Sequence, residues 1–524
     1  MKKIAIFLCA FLLLNIVANI ANVWQHHNVL FGLFVAPEIF AVLLALFITI
    51  EIFPSKNPWL YFVASTTIVL VTLCKLSFFA VPKFFHRSFN LYIDLAYIPD
   101  LLHFVYHSLP LWKFLLGSVV TVSVVGFLYW VLHKCLHCCT AEIKEHKKIS
   151  LATMSFLLLL HASGVYVFHP SCVREIAAQV DFLNNKPHYE NQYRQLIENV
   201  EETAKNTSYD LKYLRKNNVL LFFVESYGKT IFDKARHQQL LQPRLDSFSA
   251  MLKEKQYNVC SHFIISPTFG GNSWLAHGAM SCGVKTFNQI IFDMLLGSKL
   301  KTMAHYFRQA GYRAISVMPG TTKPWPAGKF FGFDQKYHAW HFDYRGPKYG
   351  WCTMTDQYVI DYIHREEVQK SSPPLFVEYV LISSHAPFHI QPPYIEDWKN
   401  LKDGALYHDT QTITYPIVWP NLSNATEGYV RSIDYVLHSI EDYLAQKIDD
   451  DSLIIVLGDH QPHGTITGSN PSWAVPIHII CRDSKLLEPF IRQGYTPGLI
   501  PTQKPPYTGM ENFLYPFLQN FSSK

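Results

Sequence analysis

The chain has 524 residues, 49% hydrophobic and 15% aromatic, with a formal net charge of +5. That length exceeds one ordinary core, so two or more domains are expected. So small a charge, without a basic stripe or nucleic-acid motif, excludes a DNA- or RNA-binding class. The crowding of apolar residues into the first third points to a membrane protein.

Five apolar segments come first: Ile4–Val23, Val29–Phe53, Trp59–Val81, Leu111–Leu132 and Ile149–Phe168. Each approaches the roughly 20 residues needed to cross a bilayer. Lys2 and Lys3 ahead of the first segment mimic a signal peptide. Four further spans and the lack of a small-residue cleavage site make it a retained anchor. Lys2, Lys3, Lys56, Lys134, Lys144, Lys147 and Lys148 fall on one side, and Lys83 and Arg87 on the other. The positive-inside rule places the first group in the cytoplasm, so an odd number of spans leaves everything after Phe168 outside.

This reading gives a five-helix transmembrane domain over 1–169, a linker and leading helix over 170–216, and an outer domain over 217–524. Residues 82–109 are amphipathic and aromatic, which suggests an interfacial helix near 84–108. Lys75, near the outer end of the third span, is expected to snorkel. His133, Cys135, His137, Cys138 and Cys139 match no standard zinc spacing. The outer domain holds Cys172, Cys260, Cys282, Cys352 and Cys481, an odd set whose pairing is open.

In the outer domain, Val219–Val224 is six consecutive apolar residues ending in Glu225. Such a run reads as a strand buried on both faces of a parallel sheet. Leu453–Leu457 likewise leads into Gly458, Asp459 and His460, and Phe376–Ile382 into Ser383, Ser384 and His385. Ligands bind beyond the carboxyl ends of such strands, so these side chains converge on one edge. Between them, Gly270 and Gly271 allow a tight turn, and Asn272 or Ser273 suits a helix N-cap. A serine there meets backbone N–H groups and the positive end of the helix dipole, a phosphate or sulfate pocket.

Glu225, Asp459 and His460, with Ser273 Oγ as a fourth ligand, make a hard donor set with one imidazole. That set suits one divalent ion, zinc or manganese, better than calcium. A hydroxyl on such an ion becomes a nucleophile near neutral pH. His385 or His463 is placed to protonate the leaving oxygen.

The order and spacing of these motifs resemble the alkaline phosphatase/sulfatase superfamily. Within it they look most like membrane-anchored lipoteichoic acid synthases and phosphoglycerol or phosphoethanolamine transferases. VES (224–226) is similar to the synthase branch's metal glutamate, Ser273 to the family nucleophile, SSHAPF (383–388) to S-H-x-P-F and GDH (458–460) to the metal-binding pair. The resemblance implies an α/β fold with a mainly parallel sheet flanked by helices. Ser273-Trp-Leu-Ala-His277 lacks the C-x-P-S-R or S-x-P-S-R needed for formylglycine, which rules out a sulfatase of that kind. In MPGTTKPWPAG (318–328), Gly320 and Trp325 match the glycerol-phosphate motif, whereas Pro319 and Ala327 replace its charged partners. Lys323 is a candidate substitute, although a point charge does not replace a bidentate guanidinium. Arg345 is a candidate phosphate contact, and Trp351 to Asp356 lie where the family's recognition loops belong.

The function so implied is transfer of a phospho-polar headgroup from a membrane phospholipid to an envelope glycan or lipid, through a covalent Ser273 intermediate. The expected setting is the bacterial inner membrane, multi-pass, with the catalytic domain on the periplasmic side. The rivals are a phosphodiesterase or phosphatase of the same superfamily and a non-catalytic envelope scaffold. A transporter is disfavoured, because no paired broken helices are evident.

Overall fold

A computed structural model describes residues 2–26, 35–52, 58–108, 110–164, 168, 172–205, 209–350, 352–415 and 423–523. They form two compact units, Met1–Lys83 with Arg87–Lys186, and Phe84–His86 with Pro187–Lys524. The boundary at 186/187 falls inside one 33-residue polar helix, Val173–Lys205.

The first unit is helical. Among the described residues, two helices are long and apolar enough to cross a bilayer, Trp59–Phe85 and Leu111–Glu145. The expected five full-length spans are not all present in that form. Ile4–Val23 divides at Asn19 into Lys2–Ala18 and Ile20–His26. The second segment becomes helical only at Pro37, running to Ile52, and the fifth is helical over Lys147–Ala162. The expected interfacial helix consists of two short ones, Leu91–Leu95 and Ile98–Ser108. Lys75 does not snorkel. Its Nζ turns inward, 2.8 Å from Glu38 Oε2 and 3.3 Å from the Ala18 carbonyl, because a charge among apolar helices is held best by an opposite charge. His137 stacks on Tyr61 with ring centroids 3.6 Å apart, while Cys135 and Cys139 are buried.

Among the described residues, the second unit is built on ten strands: β1 (Val219–Val224), β2 (Asn258–Ile265), β3 (Arg313–Met318), β4 (Gln335–His338), β5 (Leu375–Leu381), β6 (Ile390–Gln391), β7 (Ile413–Thr414), β8 (Leu453–Gly458), β9 (Ala474–Cys481) and β10 (Thr496–Pro497). Eight form one sheet in the order β10-β2-β9-β8-β1-β5-β3-β4. The run from β8 to β4 is parallel, and β9, β2 and β10 add an antiparallel flank. The sheet is therefore mixed.

Strand β1 shows why no polar alternation was possible. Leu220, Phe222 and Val224 enter one hydrophobic core, and Val219, Leu221 and Phe223 enter the other. Both faces are covered, so every side chain of β1 is buried. The helices Ala235–Glu254 and Ser423–Gln446 contribute to the first core, and Ser273–Cys282 and Leu514–Phe521 to the second. All ten cysteines are free thiols.

Candidate active site at the carboxyl edge of the sheet

Strands β5, β1 and β8 are parallel neighbours, so their carboxyl ends lie side by side. Beyond β1 the chain turns sharply, with Ser226 left-handed at φ 60°. Asp459 Oδ1 holds that turn by accepting from Ser226 N at 2.8 Å and from His460 N at 2.7 Å. Glu225, Asp459 and His460 thereby meet, each at least nine-tenths buried, with one ligand atom of each within 4.8 Å of the others.

His460 Nε2 stands 3.3 Å from Glu225 Oε1 and 3.6 Å from Asp459 Oδ2. Its Nδ1 is 2.8 Å from the Gln461 carbonyl, which can only accept, so Nδ1 carries a proton and Nε2 faces the carboxylates. Ser273 completes the group, with Oγ donating to Glu225 Oε2 at 3.0 Å and lying 3.2 Å from His460 Nε2. Asn272, left-handed at φ 60°, occupies the N-cap without a side-chain cap bond, and Ser273 is the first residue of the helix Ser273–Cys282. Gly271 precedes it at φ 153°, a conformation that a side chain would strain.

Electrostatics ask for a cation here. Burial, then the negative charge of Glu225, pushes the Asp459 carboxyl up to about 7. Burial opposes ionisation of Glu225 too, yet the charges of His460 and His385 hold it below the usual carboxylate range. Burial also disfavours charge on His460, but Asp459 and Glu225 raise its pKa. Two buried carboxylates facing an imidazole nitrogen stabilise positive charge between them, which fits a divalent ion of the zinc or manganese type. A second group, Glu396, His438 and Asp442, is more exposed.

The remaining predicted residues are distributed as follows. His385 is exposed just beyond β5, with Nδ1 2.7 Å from the Ala386 carbonyl, which can only accept. The neighbouring Ser384 donates to the Glu225 carbonyl at 2.6 Å, tying this loop to the cluster. His463 stacks on Phe388 at 5.5 Å and shares a 2.5 Å hydrogen bond with Thr465. Burial, then the charge of His385, lowers its pKa to about 4, a poor proton donor at neutral pH. Trp325 is half-buried against the second core and stacks on Phe331 at 5.3 Å. Lys323 is on an exposed turn, and Arg345 is a surface residue with Asp343 at 3.6 Å and Asp403 at 3.7 Å. Trp351 lies outside the described residues.

Ser384 and Asp356, though named in the sequence, received no individual role from residue type. A serine in a strand-end loop carries no chemical signature, and Asp356 stands out only through its contacts, since its two carboxylate oxygens accept from Ile382 N and Ser383 N.

Residues 275–478 match the family model described as Sulfatase. The match takes in His385, Asp459 and His460, while Glu225 and Ser273 precede it. Among solved structures the chain is similar to the lipoteichoic acid synthase LtaP from Listeria monocytogenes, at 15% identity over 54% of this chain and 70% of that one, with a TM-score of 0.36. It is similar to the periplasmic domain of phosphoethanolamine transferase EptC from Campylobacter jejuni, at 13% identity over 58% and 89%, with a TM-score of 0.36. It is also similar to the phosphoglycerol transferase GacH from Streptococcus pyogenes, at 12% identity over 63% and 90%, with a TM-score of 0.37. No curated protein matches the chain.

Proposed function

We propose that the chain is a membrane-anchored, metal-dependent transferase. It moves a phospho-polar headgroup, of the phosphoglycerol or phosphoethanolamine type, from a membrane phospholipid to an envelope glycan or lipid. The observation that carries this reading is Ser273 Oγ lying within 3.2 Å of both Glu225 and His460 at the mouth of a buried Glu–Asp–His cluster. A lone capping serine has no need of such neighbours. The sulfatase-family match and the motif resemblance supply the reaction class.

Glu225, Asp459, His460 and Ser273 Oγ would hold one zinc or manganese ion, which when bound supplies Lewis acidity and lowers the pKa of a coordinated hydroxyl. Ser273 Oγ attacks the phosphorus of the donor phosphodiester. The Oγ–P bond forms, the bond from phosphorus to the lipid oxygen breaks, and the serine proton leaves toward the carboxylate it already faces. His385, exposed and joined through Ser384 to the Glu225 strand, protonates the departing lipid oxygen at its Nε2 face. Deprotonated again, it accepts a proton from the acceptor hydroxyl as that oxygen displaces Ser273. A small cleft beside His385 is lined by Tyr349, Cys352, Ser383, Phe388 and His389.

The five-span topology, the periplasmic location of the second unit and the boundaries at 169/170 and 216/217 are part of this proposal. They rest on loop charge and hydropathy. Trp325 packs on Phe331, and Arg345 lies at the surface beside two aspartates.

The test is intact mass spectrometry of the full chain in detergent after incubation with mixed bacterial phospholipids. A mass gain on Ser273 establishes the covalent step, and its size names the headgroup. Release of free headgroup phosphate at an unchanged rate with every acceptor offered would instead make the protein a hydrolase.

A further inference from the structure

The loop that presents His385 is held from behind by a buried carboxylate. The ladder between β1 and β5 ends at Val224 and Leu381, because β1 leaves the sheet at the Ser226 turn. The next two amides, of Ile382 and Ser383, belong to buried residues beyond that ladder, where an unpaired N–H is costly. Asp356 accepts both, Ile382 N at 2.8 Å on Oδ1 and Ser383 N at 2.9 Å on Oδ2. Ser383 Oγ in turn accepts from Asp356 N at 2.9 Å.

Asp356 is itself fully buried. It opens the helix Asp356–Ile363, which Thr355 caps by accepting from Tyr358 N. The adjacent Gln357 pairs both ways with the backbone of Ile395. One residue beyond the clasp, Ser384 bonds the Glu225 carbonyl, and the exposed His385 follows. The loop therefore has a fixed back, a link to the cluster and a reactive tip.

We propose that Asp356 is a positioning residue for the transfer reaction, acting through the Ile382 and Ser383 amides to set where His385 meets the leaving oxygen. This rests on the reading of His385 as the proton carrier. An Asn at this site presents one oxygen and one NH2, so only one amide stays paired and the other meets a donor. A displacement on the order of 1 Å at a catalytic group costs up to about 100-fold in rate.

The experiment uses the full chain in detergent with vesicles of phosphatidylglycerol and phosphatidylethanolamine, reading diacylglycerol release. Asp356→Asn is expected to lower kcat about 10- to 100-fold with KM changed less than about 3-fold. In a His385→Ala background the same change is expected to cost nothing further. Multiplicative losses in the double variant would overturn the proposal, because Asp356 would then act elsewhere. Should Asp356→Asn fail to fold, Ser383→Ala removes one bond of the clasp and must show a smaller loss with the same masking by His385→Ala. Hydrogen exchange gives a readout independent of turnover: the 382–386 amides must exchange faster in Asp356→Asn while 458–461 stay protected. Unchanged exchange at 382–386 sinks the clasp. Full activity of His385→Ala, or no diacylglycerol from the wild-type chain, sinks instead the functional reading beneath it.

Discussion

The Ser273 hydroxyl donates to Glu225 Oε2 across 3.0 Å, joining the first turn of a helix to the end of a strand 48 residues earlier. A neutral hydroxyl is a weak nucleophile, and its value here lies in facing a carboxylate and an imidazole at once. Ser273→Ala is expected to abolish the mass adduct and lower turnover by at least about 1000-fold, while metal content falls less. Ser273→Thr keeps the oxygen and should retain measurable turnover. Adduct formation at another residue in Ser273→Ala would refute the assignment.

Glu225, Asp459 and His460 are buried together, and their mutual charges favour a cation among them. A ligand that binds the folded state alone stabilises it by about 2.7 kcal/mol at 100-fold its Kd. Chelation of the purified chain should therefore lower its Tm, and adding back zinc or manganese should restore it. His460→Ala should carry little metal and show a Tm insensitive to chelator. An equal chelator response in wild type and variant would count against the site.

Glu378, in the middle of β5, is buried and has Ser281 Oγ at 3.3 Å as its hydrogen-bond partner. Burial raises its pKa from 4.5 to about 8. The folded state thus binds a proton that the unfolded state has released, so this group destabilises the fold progressively as pH rises from about 4.5 to about 8. Glu378→Gln mimics the neutral form. Thermal melts across that range should show a flatter profile in the variant, with its relative gain greatest at the alkaline end. Parallel profiles would mean that the carboxyl is ionised throughout.

Gly458 ends β8 immediately before Asp459, and a Cβ placed there would lie 1.9 Å from the Tyr227 carbonyl oxygen. That neighbour is backbone, so relief requires β1 and β8 to part where they carry Glu225 and Asp459. Gly458→Ala is expected to cost roughly 2–4 kcal/mol. It should also lower metal occupancy at temperatures where the chain stays folded. A variant with wild-type Tm and metal content would show that the two strand ends move independently.

The three central strands were legible because a parallel strand covered on both faces has no polar alternation to blur it, and each run stops within one residue of its strand's end. Glu225, Asp459 and His460 stood out for the same reason, as charged groups abutting apolar runs. The spans were less legible. Asn19 divides the first apolar segment, and hydropathy averages over such a break. Trp325 shows a contact that no motif reveals. An aromatic inside a matched motif reads as a ligand contact, and only the folded chain shows that its ring also stacks on Phe331 beside the core.

Local pattern by itself determined which residues end strands and which open helices, because apolar runs, turn glycines and cap residues act over a few positions along the chain. Tertiary structure alone decided that Ser273 faces Glu225, that Lys75 turns inward to Glu38, and that Asp356 grips the amides behind His385. Each of those contacts spans tens of residues of sequence. Its geometry depends on strand order and register, which hydrogen bonding between distant segments sets and no local window contains.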